Sequence, residues 1–168
     1  TATQPRVGGS EGNLWGSGDL IGISMVKRGT VEIVDSKENV KYTGTPLGDA
    51  KSARFSSLSP IYYPVSTAGK VDFIAYYPYQ SAMTDFSYSV KLASQESQSA
   101  IDLIVARADN AGTGYDLEQG TTPVNLLFNH KLAKVIIEVN NGEGVPTGEL
   151  ASLSHVVING MNTTATFN

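Results

Sequence analysis

The chain has 168 residues, 40% of them hydrophobic and 17% charged, with a net charge of -4. That suffices for one domain with a substantial core and a surface that is polar more than ionic, and an acidic chain without a Lys or Arg run is not built to wrap nucleic acid or coat an anionic membrane. It holds no cysteine, which rules out disulfides and thiolate metal sites and is compatible with export, and no apolar run approaches the roughly eighteen residues of a membrane-spanning helix.

Residues 1–14, rich in Gly, Ser and Asn, read as a flexible leader, with a single domain expected over 15–168. The chain opens at Thr1 with neither methionine nor a signal peptide and reads as a mature form. Residues 19–26 (DLIGISMV) are the first strand signal, closed by Gly29. Residues 31–34 and 40–43 are weaker and suit a hairpin or a loop insertion. Residues 54–58 and 61–65 are short candidates flanking Pro60, the second confined to an edge or strand end by Pro64.

Residues 71–79 (VDFIAYYPY) alternate, with Val71, Phe73, Ala75, Tyr77 and Tyr79 on one face and Asp72, Ile74 and Tyr76 on the other. Five of the eight tyrosines fall within residues 62–79. A tyrosine carries a large apolar body and a hydroxyl that must stay wet or paired, so this cluster is predicted to rim the core. The functional alternative is a stacking platform for carbohydrate, with Tyr76 and Tyr79 as its residues. Tyr88, Val90 and Leu92 form the next alternation, and residues 101–108 (IDLIVARA) are nearly continuously apolar, as in a central strand covered on both faces.

Residues 124–139 (VNLLFNHKLAKVIIEV) contain two alternations of opposite parity. Val124, Leu126, Phe128 and Leu132 share one; Val135, Ile137 and Val139 share the other. A change of parity requires an extra residue, so a bulge or bend is predicted near Ala133 and Lys134. The run is about twice the usual strand length and is expected to switch sheets at a corner or cross the domain as two strands. His130 is in phase with Phe128 and Leu132, which places it on the core side or its margin, hydrogen-bonded to a backbone group. After a long turn at 140–148, residues 153–158 and 163–167 complete the strand list. The last alternation runs up to Asn168, so a longer protein is expected. No window of eleven residues carries a helical period; the class is all-β with seven to ten short strands, most simply an antiparallel β-sandwich.

Chemistry-bearing patterns are sparse. Residues 109–116 (DNAGTGYD) lack the alternating acids and terminal Glu of a calcium loop, and no helix follows Gly112 and Gly114 to cradle a phosphate. There is no GxSxG elbow, and neither His130 nor His155 has a triad setting. Asp19, Asp72, Asp85 and Asp102 would serve as glycosidase carboxylates only if the fold paired them. No enzyme activity, cofactor or metal is expected.

Five segments in order carry a resemblance: WGSGDLIG at 15–22, IYYP at 61–64, FIAYYPY at 73–79, DLIVA at 102–106 and FNHKLAK at 128–134. Together they resemble the N-terminal domain of the Bacteroidetes fimbrillins, the Mfa-like and FimA-like subunits of type V pili, over about residues 15–139. The resemblance implies a transthyretin-like β-sandwich of about seven or more strands, usually the first of two, exported as a lipoprotein and assembled at the outer membrane surface. It implies polymerisation by strand exchange: an arginine-specific protease removes an N-terminal segment, and a neighbouring subunit's strand takes its place by β-augmentation. Arg6, in Gln4-Pro5-Arg6-Val7, stands where such cleavage is expected. The implied partners are other fimbrial subunits and a host glycan or protein, with no nucleic acid, and with the membrane reached only through a lipid anchor on the precursor. Trp15 is expected to close one end of the core, with Phe128 and Leu132 inside it. The rival reading is a carbohydrate-binding sandwich module of a surface lipoprotein.

Overall fold

Apolar and β-branched runs become strands, and their depth follows how many layers cover them. The computed structural model describes residues 2–3, 14–64, 69–93, 95, 98–120, 122–133, 137–138, 140, 143–144, 157–160 and 162–167. Ten strands occur among them: β1 (Ala2–Thr3), β2 (Leu20–Lys27), β3 (Val40–Leu47), β4 (Ser52–Ser56), β5 (Val71–Tyr77), β6 (Tyr88–Lys91), β7 (Ile104–Ala108), β8 (Leu126–Leu127), β9 (Asn129–His130) and β10 (Thr164–Phe167). One short helix, α1 (Gln98–Ile101), precedes β7.

Eight strands form one ladder in the order β8-β1-β4-β3-β2-β5-β7-β9, antiparallel except where β1 runs parallel to β8. Its two end strands follow each other in the chain with only Phe128 between them. The ladder is therefore folded over until its ends meet, and the first core lies between its arms. Ile21, Met25, Val71, Ala75 and Ile104 are fully buried there, with Phe128 at 1% exposure. This is an all-β, sandwich-like fold.

A second layer covers the outside of the ladder. β6 pairs with β10 in a separate two-stranded sheet, and Tyr88 and Val90 of β6 pack with Tyr76, Met83 and Leu103 in a second core. β5 is consequently buried on both faces along nearly its whole length. Leu132 packs against this outer cluster and not, as expected, within the same core as Phe128.

Trp15 does close one end of the first core. Its ring meets Phe55, Tyr77 and Phe128 edge-on at 5.1, 5.8 and 5.4 Å between centroids, which ties β4, the end of β5 and the β8–β9 junction together. Asp72 of β5, 1% exposed, bonds Arg107 of β7 at 2.6 Å and accepts the Gly29 amide at 2.9 Å. Arg107 also donates to Thr30 O, so this pair pins the turn after β2.

Several local expectations shift. Residues 31–34 give only a bridge, Val26 to Ile33, while β3 runs on to Leu47. Residues 61–64 form no strand, and 153–156 lie outside the described residues. The 101–108 run divides, with Ile101 ending α1 and Ile104 starting β7. The alternation of β5 does not extend to Tyr79: the strand ends at Tyr77, the Tyr77–Pro78 peptide is cis, and Tyr79 packs with Tyr76 in the outer cluster. In the 124–139 run the change of partner comes at Phe128, between β8 and β9, and among the described residues the last register pair is that of His130 with Ile104. Ala133 lies beyond the ladder and Lys134 outside the described residues. The leader expected to be flexible throughout contributes β1 at Ala2–Thr3.

Candidate functional site

β1 sits in a seam. On one side Ala2 and Thr3 pair antiparallel with Ala53 and Ser52 of β4; on the other they pair parallel with Leu126 and Leu127 of β8. The walls of the seam are ordinary strand surfaces of alternating depth. Ala53 and Leu126 are buried, whereas Leu127 is 54% exposed.

Next to the seam opens a cavity of about 360 Å³ whose walls include Tyr42, Phe55, Ile61, Tyr63, Val124 and Leu126. Two of its hydroxyls are hydrogen-bonded. The Tyr42 hydroxyl accepts the Ile61 amide at 2.7 Å, and the Tyr63 hydroxyl donates to Thr122 O at 2.8 Å. Burial pushes both phenols above their ordinary pKa, by desolvation first. Tyr63 is itself stacked on Tyr115 and set edge-on to Phe73. None of the described lining residues is charged. Phe55 reaches over its cross-strand neighbour Gly44: a Cβ there would fall 2.9 Å from the ring, so glycine is what lets the ring lie flat enough to meet Trp15.

The residues singled out from the sequence are not gathered here. Arg6 lies outside the described residues, as does His155. Tyr76 is 5% exposed and offers no face to a sugar, which corrects its place in the expected platform. Its hydroxyl lies 2.8 Å from Asn39 Oδ1 and 2.9 Å from Gln80 O and accepts the Gln80 amide at 3.1 Å. Tyr88 covers it edge-on, and its cross-strand neighbour Gly22 leaves the room it occupies, since a Cβ there would collide with the Tyr76 ring. Tyr79 is half-buried in the same cluster, its amide donating to Leu20 O. The exposed tyrosine of the cluster is Tyr62, at 75%.

His130 is at the margin of the fold, its side chain 35% exposed, and its partner is not a backbone group but the Asp102 carboxylate, 2.9 Å from Nδ1. The reason is its place in β9, the end strand of the ladder, which among the described residues pairs with β7 alone. Three of the four aspartates considered for hydrolysis are committed locally: Asp19 accepts the Gly16 amide, Asp72 holds Arg107 and Asp102 holds His130. What sequence reasoning missed is the cavity. Its signal was present in the shared parity of Val124, Leu126 and Phe128, but the opposing wall, Tyr42 and Phe55, comes from strands far away in the chain.

The family described as fimbrillin-like matches residues 5–168. A candidate fimbrium subunit of Bacteroides uniformis, Fim1C, is 33% identical over 156 residues, which are 92% of this chain and 48% of that protein. The crystal structure of a candidate cell adhesion protein from Bacteroides uniformis ATCC 8492 is similar with a TM-score of 0.56 and 30% identity, over 77% of this chain and 46% of that one. The chain thus spans about half the length of these relatives. With the family match covering it almost end to end, and with the all-β architecture shared by a solved relative, the chain belongs to the fimbrillin-like family.

Proposed function

We propose that the chain is a structural subunit of a cell-surface fimbria, joined to other subunits by strand exchange at the β4–β8 seam once the segment ending at Arg6 is cleaved away. The observation that carries this reading is the position of β1. A strand that precedes Arg6 in the chain fills an interior place in the ladder, and among the described residues it holds that place by two register pairs on each side. At a net contribution of about 1 kcal/mol per ladder hydrogen bond, such a strand is held far less firmly than the central strands β2 and β5. Its removal bares main-chain groups of β4 and β8, which a strand from outside satisfies by β-augmentation.

The family supports the coarser part of the reading: a relative carries the name of a fimbrium subunit and a structural neighbour that of a cell adhesion protein. Delivery to the outer surface by a lipid anchor on the precursor belongs to the same proposal. No covalent chemistry is asked of any residue, and the burial of Tyr76 takes one of its two named tyrosines from the carbohydrate-module alternative.

The test is Arg6→Ala in the producing cell, followed by electron microscopy of surface fimbriae and by the N-terminal sequence of the subunit. The expected result is an unprocessed subunit that does not enter fimbriae. Normal processing and normal assembly of the variant would falsify the proposal.

A further inference from the structure

The seam and the cavity are in register with each other. Ala2 pairs with Ala53 of β4 and with Leu126 of β8, and both partners are buried, so that position of the seam faces the core. Side chains opposite one another in a sheet share a face, and the face repeats every second residue. Two residues along β4 stands Phe55. Because β1 is antiparallel to β4 and parallel to β8, the matching step on β8 runs backwards, to Val124. Phe55 and Val124 both pack against the first core and both line the cavity. Residues 54–56 of β4 pair with residues 43–45 of β3 and, among the described residues, with no strand on the β1 side.

Resting on the strand-exchange reading, we propose that the cavity is a selectivity pocket for the incoming strand: a strand from a neighbouring subunit extends past the place of Ala2 and seats an apolar side chain between Phe55 and Val124. The lining explains the selectivity. With no charged residue in the described walls, a charged side chain would enter without a counter-charge, whereas a Leu or Val would exchange water for contact with Phe55, Val124 and Leu126. The next positions on either side face outward, as Leu127 does, and are free to vary.

The chain has no cysteine, so introduced cysteines report register cleanly. The first arm uses the full chain, cut after Arg6 by a trypsin-like protease, and a synthetic peptide of alternating Val and Thr carrying one scanned Cys. Val124→Cys is expected to form a disulfide with peptide cysteines at Val positions, and Leu127→Cys with those at Thr positions. Replacing the cavity-facing Val by Asp is expected to weaken binding at least about tenfold, and replacing an outward Thr by Asp to change it little. The second arm needs no exchange: the chain is extended ahead of Thr1 by a short strand with either Leu or Asp at the residue immediately before Thr1, the position opposite Phe55 and Val124. The Leu form is expected to melt at the higher temperature. A peptide that binds with reversed parity, or with indifference to Asp, overturns the pocket and leaves strand exchange standing. Failure of any peptide to bind, with the Leu extension still melting higher, overturns exchange in trans and keeps the pocket. Equal melting of the two extensions together with no peptide binding overturns both.

Discussion

β5 meets β2 through six register pairs and β7 through five, and is buried on both faces. β1, in the same ladder, meets β4 and β8 through two pairs each among the described residues, beside a cavity. The two regions use the same hydrogen bonds and differ in what accompanies them. At the centre, most pairs add a side chain to the first core or to the outer one, and the Asp72–Arg107 pair fixes the flanking turn as well. At the seam the described backbone pairing is short, and it borders a cavity instead of a filled core. Since net hydrogen-bond contributions are small and buried apolar area supplies most of the stability, a ladder can contain a durable strand and an exchangeable one without any change of architecture.

Truncation of similar side chains in the two regions should give unequal losses. Ile104→Ala, at a fully buried position, is expected to cost about 4 kcal/mol, because packed neighbours cannot close the hole. Leu126→Ala, on the wall of an existing cavity, is expected to cost about 2 kcal/mol, since part of its surroundings is already unfilled. Urea denaturation of both variants measures the difference; equal losses would break the contrast. Next in size is Arg107→Met, which leaves the Asp72 carboxylate buried with the Gly29 amide as its remaining described donor. The expected cost is about 3 kcal/mol, and exchange of the Gly29 amide with solvent should quicken, because the turn it anchors loses its second tie through Thr30.

The outer core offers smaller effects. Tyr76→Phe keeps the ring but deprives Asn39 Oδ1 and the Gln80 amide of a partner, for a loss of about 1.5 kcal/mol. The same cluster predicts an alkaline limit. Burial pushes the Tyr88 phenol from 10.0 up to about 12 and raises Tyr76 as well, in each case by desolvation first. A folded-state pKa above the unfolded one means the fold favours the neutral phenol. That stability is complete below pH 10 and is lost as pH rises through about 12. Thermal melts across this window should show the decline, and Tyr88→Phe should flatten it; a decline of the same depth in Tyr88→Phe would assign it elsewhere.

How far the sequence could be read follows the same division. The runs that became β2, β5 and β7 were legible because their apolar content is dense enough to outvote turns, and FNHKLAK marked the family. Depth was less legible. Alternation placed Tyr76 opposite Tyr77 but could not show that Tyr88 and Val90 return to cover that face. His130 had the right parity for the core and still lies at its margin, since parity gives a direction and not a distance from the last strand. The β1 seam was not legible at all: two residues in a Gly- and Ser-rich leader carry no period, and their partners are fifty and more than a hundred residues away.

The smallest expected effect is also the one that sharpens the comparison most. Cleavage after Arg6 removes the two-pair ladders of β1 from the seam and nothing from the six-pair register of β2 and β5. With few hydrogen bonds lost, each worth about 1 kcal/mol net and partly replaced by water, the cleaved chain should be less stable by only about 1 to 2 kcal/mol. Hydrogen exchange would localise the change: amides of β4 facing the seam should lose protection, while those of β5 and β7 keep theirs, because local opening at an edge need not propagate into a strand packed on both faces. A loss as large as that of Ile104→Ala, or deprotection spreading into β5, would mean that β1 is part of the cooperative core. In that case the strand could not be exchanged without unfolding the subunit that receives its replacement.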